Sequence, residues 1–154
     1  FFLHTGNPVH RPFFCCSLIG TYTKSCNFEG VDIVEIDRFR KIINRHGDNF
    51  AKKVLAVNEY DIYLKSNNKE TYLSKCWAVK EAFVKAKGTG FTGVYKKTDI
   101  TYNSPGDCRP TIEVSDEIAS DDSMRNITIN LSVSDEISNV VAFVILEHHD
   151  GVSI

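Results

Sequence analysis

The sequence predicts an α+β fold, in which an N-terminal strand and helices pack on a mainly antiparallel sheet. Three observations predict it. Between Ile36 and Ala86 apolar residues recur three and four positions apart, as on helices. After Gly90 the chain changes to short segments rich in β-branched residues, separated by turn residues. Helical segments precede most of the strands instead of alternating with them, which is the α+β order. A chain of 154 residues suits one domain with a reasonable core.

Taken in order, "GVDIVEI" (30–36) is a short apolar run led by glycine and reads as a buried strand. Asp37 is placed to cap a helix that carries Ile36, Phe39 and Ile43 on one stripe and stops at Gly47. "NFAKKVLA" continues as helical or irregular chain, and Asn58-Glu59 open a short helix that runs into the polar loop "NNKE". A long helix follows, with Tyr72, Cys76, Val79, Phe83 and Ala86 on its apolar stripe and Gly88 as a left-handed cap. "TDITYN", "TIEVSD", "NITINLSVS" and "NVVAFVILE" are the later strands, with an acidic loop at 115–123.

Composition bounds the function. With 42% hydrophobic and 25% charged residues and a net charge of −2, the chain reads as a soluble globular protein. Nucleic acid is not expected as a partner, because the chain is slightly acidic and its basic residues are not interleaved with aromatics. No membrane partner is expected either, since the longest uncharged run, "PFFCCSLIGTYT", is too short to span a bilayer. Five cysteines without a C-x-x-C spacing point to a reducing compartment and to neither a zinc site nor a disulfide framework. Residues 1–28 contain Arg11 and Lys24 and none of the 20 acidic side chains. Residues 1–27 therefore read as an organellar leader, which implies an organelle stroma of plastid type, or else as a disordered extension of a cytoplasmic protein. The domain itself is expected over 28–150.

Four features carry candidate chemistry. Asp32 sits in an apolar strand, where a carboxylate is expensive unless it is paired or bound to a cation. A strand-end aspartate held by backbone hydrogen bonds is the structural alternative. Glu81 has Lys85 four residues on, the favourable order for a solvated helix pair, but Trp77, Phe83 and Val84 surround it. As bare chemistry, an Asp and a Glu meeting across a strand and a helix suit Mg²⁺, which takes one or two carboxylates, waters and substrate phosphates. Lys80 and Lys87 lie two helical turns apart on one face, where they would flank a polyphosphate. Arg38, Lys41 and Arg45 share a face of the first helix, which reads either as a solvated surface or as a dock for an acidic partner.

"GVDIVEIDRF" and "WAVKEAFVKAKGTG" together resemble the two signature blocks of the holo-acyl-carrier-protein synthases, the short class of 4'-phosphopantetheinyl transferases. The order of elements, "RPTIEV", "INLSVSDE" and "NVVAFVILE" are similar too, so the resemblance spans about residues 28–148. It implies transfer of 4'-phosphopantetheine from coenzyme A to a serine of apo-acyl carrier protein, in support of fatty acid biosynthesis. It implies Asp32 and Glu81 as the Mg²⁺ carboxylates, with Mn²⁺ as the other candidate metal. Lys80 would act in catalysis and, with Lys85, beside the coenzyme A phosphates. Gly88, Thr89, Gly90 and Ser132 would lie at the nucleotide, and Arg38, Lys41 and Arg45 would meet the acidic carrier protein. Asp135 stands where the family commonly has a histidine. The family also implies a homotrimer with active sites between subunits. A metal-held water is the favoured acceptor of the serine proton over a carboxylate. A non-catalytic module that binds coenzyme A or the carrier protein on the same fold is the competing function.

Overall fold

The structure is a computed structural model that describes residues 27–91, 95–106 and 108–149; the expected leader lies outside these, apart from Asn27. In chain order the elements are β1 (Asn27–Glu35), α1 (Ile36–His46), α2 (Asn49–Val54), α3 (Val57–Lys65) and α4 (Lys69–Lys87). A 3₁₀ turn (Lys97–Asp99) then leads into β2 (Ile100–Asn103) and β3 (Thr111–Val114). The chain ends with α5 (Asp116–Ala119), a second 3₁₀ turn (Asp122–Met124), β4 (Ile127–Asp135) and β5 (Asn139–His148). The α+β expectation holds, and every strand pairing is antiparallel. The strands divide into two sheets, β1-β5-β4 and β2-β3.

Local departures from the expected pattern have simple causes. Asp37 is not the cap of α1: Glu35 is the flanking residue, and Asp37 sits in the first turn, where it pairs with Lys41 and Arg40. Negative charge there complements the helix dipole without capping it. The loop expected at 115–123 instead folds into α5 and the second 3₁₀ turn. Gly88 takes the left-handed conformation that was expected of it, with φ 74°, and returns its N–H to the last turn of α4.

α4 lies across β1 and β5, and its residues Cys76, Ala78, Val79, Ala82, Phe83, Val84 and Ala86 are all buried. The helix is covered nearly all round rather than along one stripe. Strand alternation places Gly30, Asp32 and Val34 on the face of β1 that meets α4, together with Val140, Ala142 and Val144 of β5. Contact is closest at Gly30: a Cβ there would stand 2.0 Å from the carbonyl oxygen of Ala82 and 2.4 Å from the amide nitrogen of Ala86. Both obstacles are backbone, so neither can rotate away. Gly30→Ala is therefore expected to push β1 off α4 and cost about 3 kcal/mol. Urea unfolding checks this, and a parent-like midpoint would contradict it. That approach positions Asp32, two residues along.

Candidate functional site

Because β1 is pressed on α4, Asp32 meets the last turns of the helix. Its Oδ1 accepts a 2.6 Å bond from Lys85 Nζ, which also donates to the carbonyl of Val31 at 3.0 Å. Asp32 Oδ2 is buried and accepts no hydrogen bond. The aspartate side chain is only 14% exposed, whereas that of Lys85 is half exposed. A bare carboxylate oxygen in that position is costly unless a cation or donor reaches it. The ordinary reading of Asp32, a carboxylate saturated by backbone amides, does not describe it.

Glu81 lies one turn before Lys85 on α4, yet it does not pair with that lysine. Its Oε1 accepts instead from Lys97 Nζ at 2.7 Å, and Lys85 crosses to β1. The expected i,i+4 helix pair is thus replaced by two ion pairs that leave the helix. Lys97 packs its ammonium over Trp77, 4.3 Å from the ring centroid, and over Phe91 at 3.4 Å. Trp77 stacks on Phe50 and tilts against Phe39, and the Arg38 guanidinium stands 5.7 Å from its centroid. Arg38 and Lys97 both pack against this one indole, so the basic face of α1 adjoins the Glu81 side of the site. Lys41 and Arg45 are exposed on that helix, Lys41 tied to Asp37 at 2.7 Å.

Two expected lysines are placed elsewhere. Lys80 does not reach a phosphate-binding surface. It is wholly buried, and its Nζ bonds Glu59 Oε2 at 2.6 Å and the carbonyls of Val54, Lys97 and Ile100 at 2.6–2.9 Å. These acceptors saturate its three protons. Glu59 in turn accepts from the amides of Ala56 and Tyr102, so the pair ties α3, α4 and β2 together. Burial pulls the Lys80 ammonium below the usual lysine range, against the opposing pull of Glu59. Burial likewise pushes the neighbouring Cys76 thiol well up, which leaves it an inert core residue. Lys87 also turns inward, to Asp121 at 2.9 Å and Ser123 at 2.6 Å. Tyr95 donates to the same Asp121 carboxylate, and that bond helps push the phenol up to about 12. The acidic loop is thereby latched to the end of α4, next to Gly88, Thr89 and Gly90.

Ser132 does not join Asp32 within one chain. The register sets Ser132 opposite Phe143 and Phe143 opposite Val31, on the face of the sheet away from α4. That outer face also shows Val31, Ile33 and Val141 to solvent. Asp135 pairs with Lys75 at 2.8 Å, toward the other end of α4. A cleft of about 410 Å³ lined by Lys52, Leu55, Ala56, Val57, Tyr60, Asp61 and Thr98 contains none of the expected site residues. Sequence reading missed Glu59 and Lys97, whose partners lie 21 and 16 residues away.

Comparison with known proteins points the same way as the geometry. The family model described as the 4'-phosphopantetheinyl transferase superfamily matches residues 30–135, which include most of β1 and all of α4 and β4. A holo-[acyl-carrier-protein] synthase of Hydrogenovibrio crunogenus is 39% identical over 121 residues, covering 77% of this chain and 94% of that protein. The solved holo-[acyl-carrier-protein] synthase of Neisseria meningitidis superposes with a TM-score of 0.71 at 30% identity, over 77% of this chain and 96% of the other. That of Helicobacter pylori, solved in complex with coenzyme A, gives 0.66 at 27% identity, over 77% and 98%. The match runs through the strand that carries Asp32 and the helix that carries Glu81 and Lys85, and this chain belongs to the 4'-phosphopantetheinyl transferase superfamily.

Proposed function

We propose that this protein is a holo-[acyl-carrier-protein] synthase, which moves 4'-phosphopantetheine from coenzyme A to a serine of apo-acyl carrier protein. The observation that carries the reading is Asp32, with one oxygen on Lys85 and the other buried and bare, beside the helix that bears Glu81. In the reaction the serine Oγ–phosphorus bond forms and a phosphorus–oxygen bond of the pyrophosphate breaks. Adenosine 3',5'-bisphosphate leaves. Holo-acyl carrier protein, the other product, is the form that fatty acid biosynthesis uses.

The donor set fits Mg²⁺. Asp32 Oδ2 and the Glu81 carboxylate would supply hard oxygen ligands, and substrate phosphate and water would complete the shell. Among the described residues no group of three or more His, Cys, Asp or Glu side chains could hold a metal ion. Held there, Mg²⁺ would offset the charge that builds on the pyrophosphate. Lys85, half exposed on a flexible stem, is free to turn from Asp32 to a phosphate oxygen as a point cation. With Asp32 and Glu81 assigned to the metal, a water at the site would take the serine proton. The Gly88–Gly90 loop, fixed by the left-handed turn and the adjoining Lys87–Asp121 latch, would receive the nucleotide.

A homotrimer completes this reading. The apolar outer face of the sheet, with Val31, Ile33 and Val141 exposed, suits a second copy, and a neighbour packed there would bring Ser132 to an adjacent site. Light scattering is expected to give three copies; a fully active monomer would contradict it.

Arg38, Lys41 and Arg45 would receive the acidic carrier protein. Each exposed pair is worth only about 0–1 kcal/mol, so the face acts collectively, on encounter. Arg38→Glu with Arg45→Glu is expected to raise KM for the carrier protein roughly tenfold or more, with KM for coenzyme A little changed. Equal loss for both substrates would return this face to an ordinary solvated surface. The function itself is tested by chromatography of coenzyme A after addition of apo-acyl carrier protein and Mg²⁺. Release of adenosine 3',5'-bisphosphate supports it; coenzyme A bound but uncleaved would mark a binding module.

A further inference from the structure

Lys97 is held unlike the other lysine of the site. Its Nζ lies 2.7 Å from Glu81 Oε1 and is boxed between the Trp77 and Phe91 rings, and its side chain is 18% exposed. Its backbone is anchored as well. The Lys97 carbonyl accepts from the buried Lys80 ammonium at 2.9 Å, and the turn is closed by Lys96 N–H on Asp99 Oδ2 at 2.8 Å. Lys85 can leave Asp32 for solvent or phosphate. Lys97 has nowhere better to go, because two aromatic faces stabilise its charge whether or not Glu81 is present.

We propose that Lys97 is a positioning residue that competes with the divalent cation for Glu81 and so sets how tightly the site binds metal. The proposal rests on the reading of Asp32 and Glu81 as metal carboxylates. A fixed ammonium at the carboxylate repels any cation that shares it, and it also aims the carboxylate at one place. Metal binding is then weak without the negative charge of a polyphosphate, which favours joint binding of metal and coenzyme A.

The test is direct Mn²⁺ titration of the full chain, following the free Mn²⁺ signal by electron paramagnetic resonance without coenzyme A. A parallel Mg²⁺ titration follows the emission of Trp77, the sole tryptophan of the chain. Lys97→Met is expected to tighten Mn²⁺ binding roughly three- to fivefold, the upper part of the range for removing one charge of a partly exposed pair. Lys97→Arg, which keeps charge and ring contact, is expected to stay within about twofold of the parent. Damage to the fold would weaken binding, so tightening is the diagnostic sign. Glu81→Gln separates the two readings. If it binds Mn²⁺ as the parent does, the metal assignment falls, and this proposal with it. If it loses Mn²⁺ while Lys97→Met binds no tighter than the parent, the Lys97 proposal alone is overturned.

Discussion

Lys80→Ala is expected to lower the unfolding free energy by about 3–5 kcal/mol, the range for removing one partner of a buried ion pair. Glu59 is itself fully buried, and without Lys80 its carboxylate keeps the amides of Ala56 and Tyr102 but loses its cation. The carbonyls of Val54, Lys97 and Ile100 lose their donor in the same stroke. Lys80→Met with Glu59→Leu removes both charges, so it should cost less than the sum of the single changes, although the backbone groups stay unpaired. Urea unfolding of the four proteins measures the coupling. If Lys80→Ala is as stable as the parent but inactive, the lysine works on substrate, as its place in the motif first suggested.

The largest effect on turnover is expected at the two carboxylates. Asp32→Ala and Glu81→Ala should each lower kcat/KM about a thousandfold or more, since several kcal/mol of charge stabilisation at the transferring phosphoryl group depends on them. The double variant should be scarcely worse than either single one, because each loss dismantles the same site. Stability should change little. The Asp32–Lys85 pair has a half-exposed lysine, and such pairs contribute at most about 1 kcal/mol. Parent-like turnover in Glu81→Ala would return that residue to a surface ion pair with Lys97.

Much of this site was legible because its signals are local. Gly88 follows an apolar helix where a left-handed cap is needed, and a carboxylate amid "GVDIV" is conspicuous in any register. Placing Lys80 failed for a different reason. A helical wheel sets it on one face with Lys87 but does not say whether that face is covered. The clue was present in Ala78, Val79, Ala82, Phe83, Val84 and Ala86, which leave α4 apolar nearly all round; such a helix is buried, and its lysines need partners. The partners themselves were not readable. Glu59 stands at a helix start and Lys97 beside Lys96 just ahead of a strand, and only tertiary packing brings them to α4. Ser132 shows a third limit. Strand alternation assigns it to the outer face only after the β4–β5 and β1–β5 registers are known.

The most direct measurement is the intact mass of an apo-acyl carrier protein after incubation with this protein, coenzyme A and Mg²⁺. The account predicts a gain of one phosphopantetheine arm on a single serine, abolished by replacing that serine with alanine and by Glu81→Ala. An unmodified carrier protein under conditions where coenzyme A is bound would contradict it.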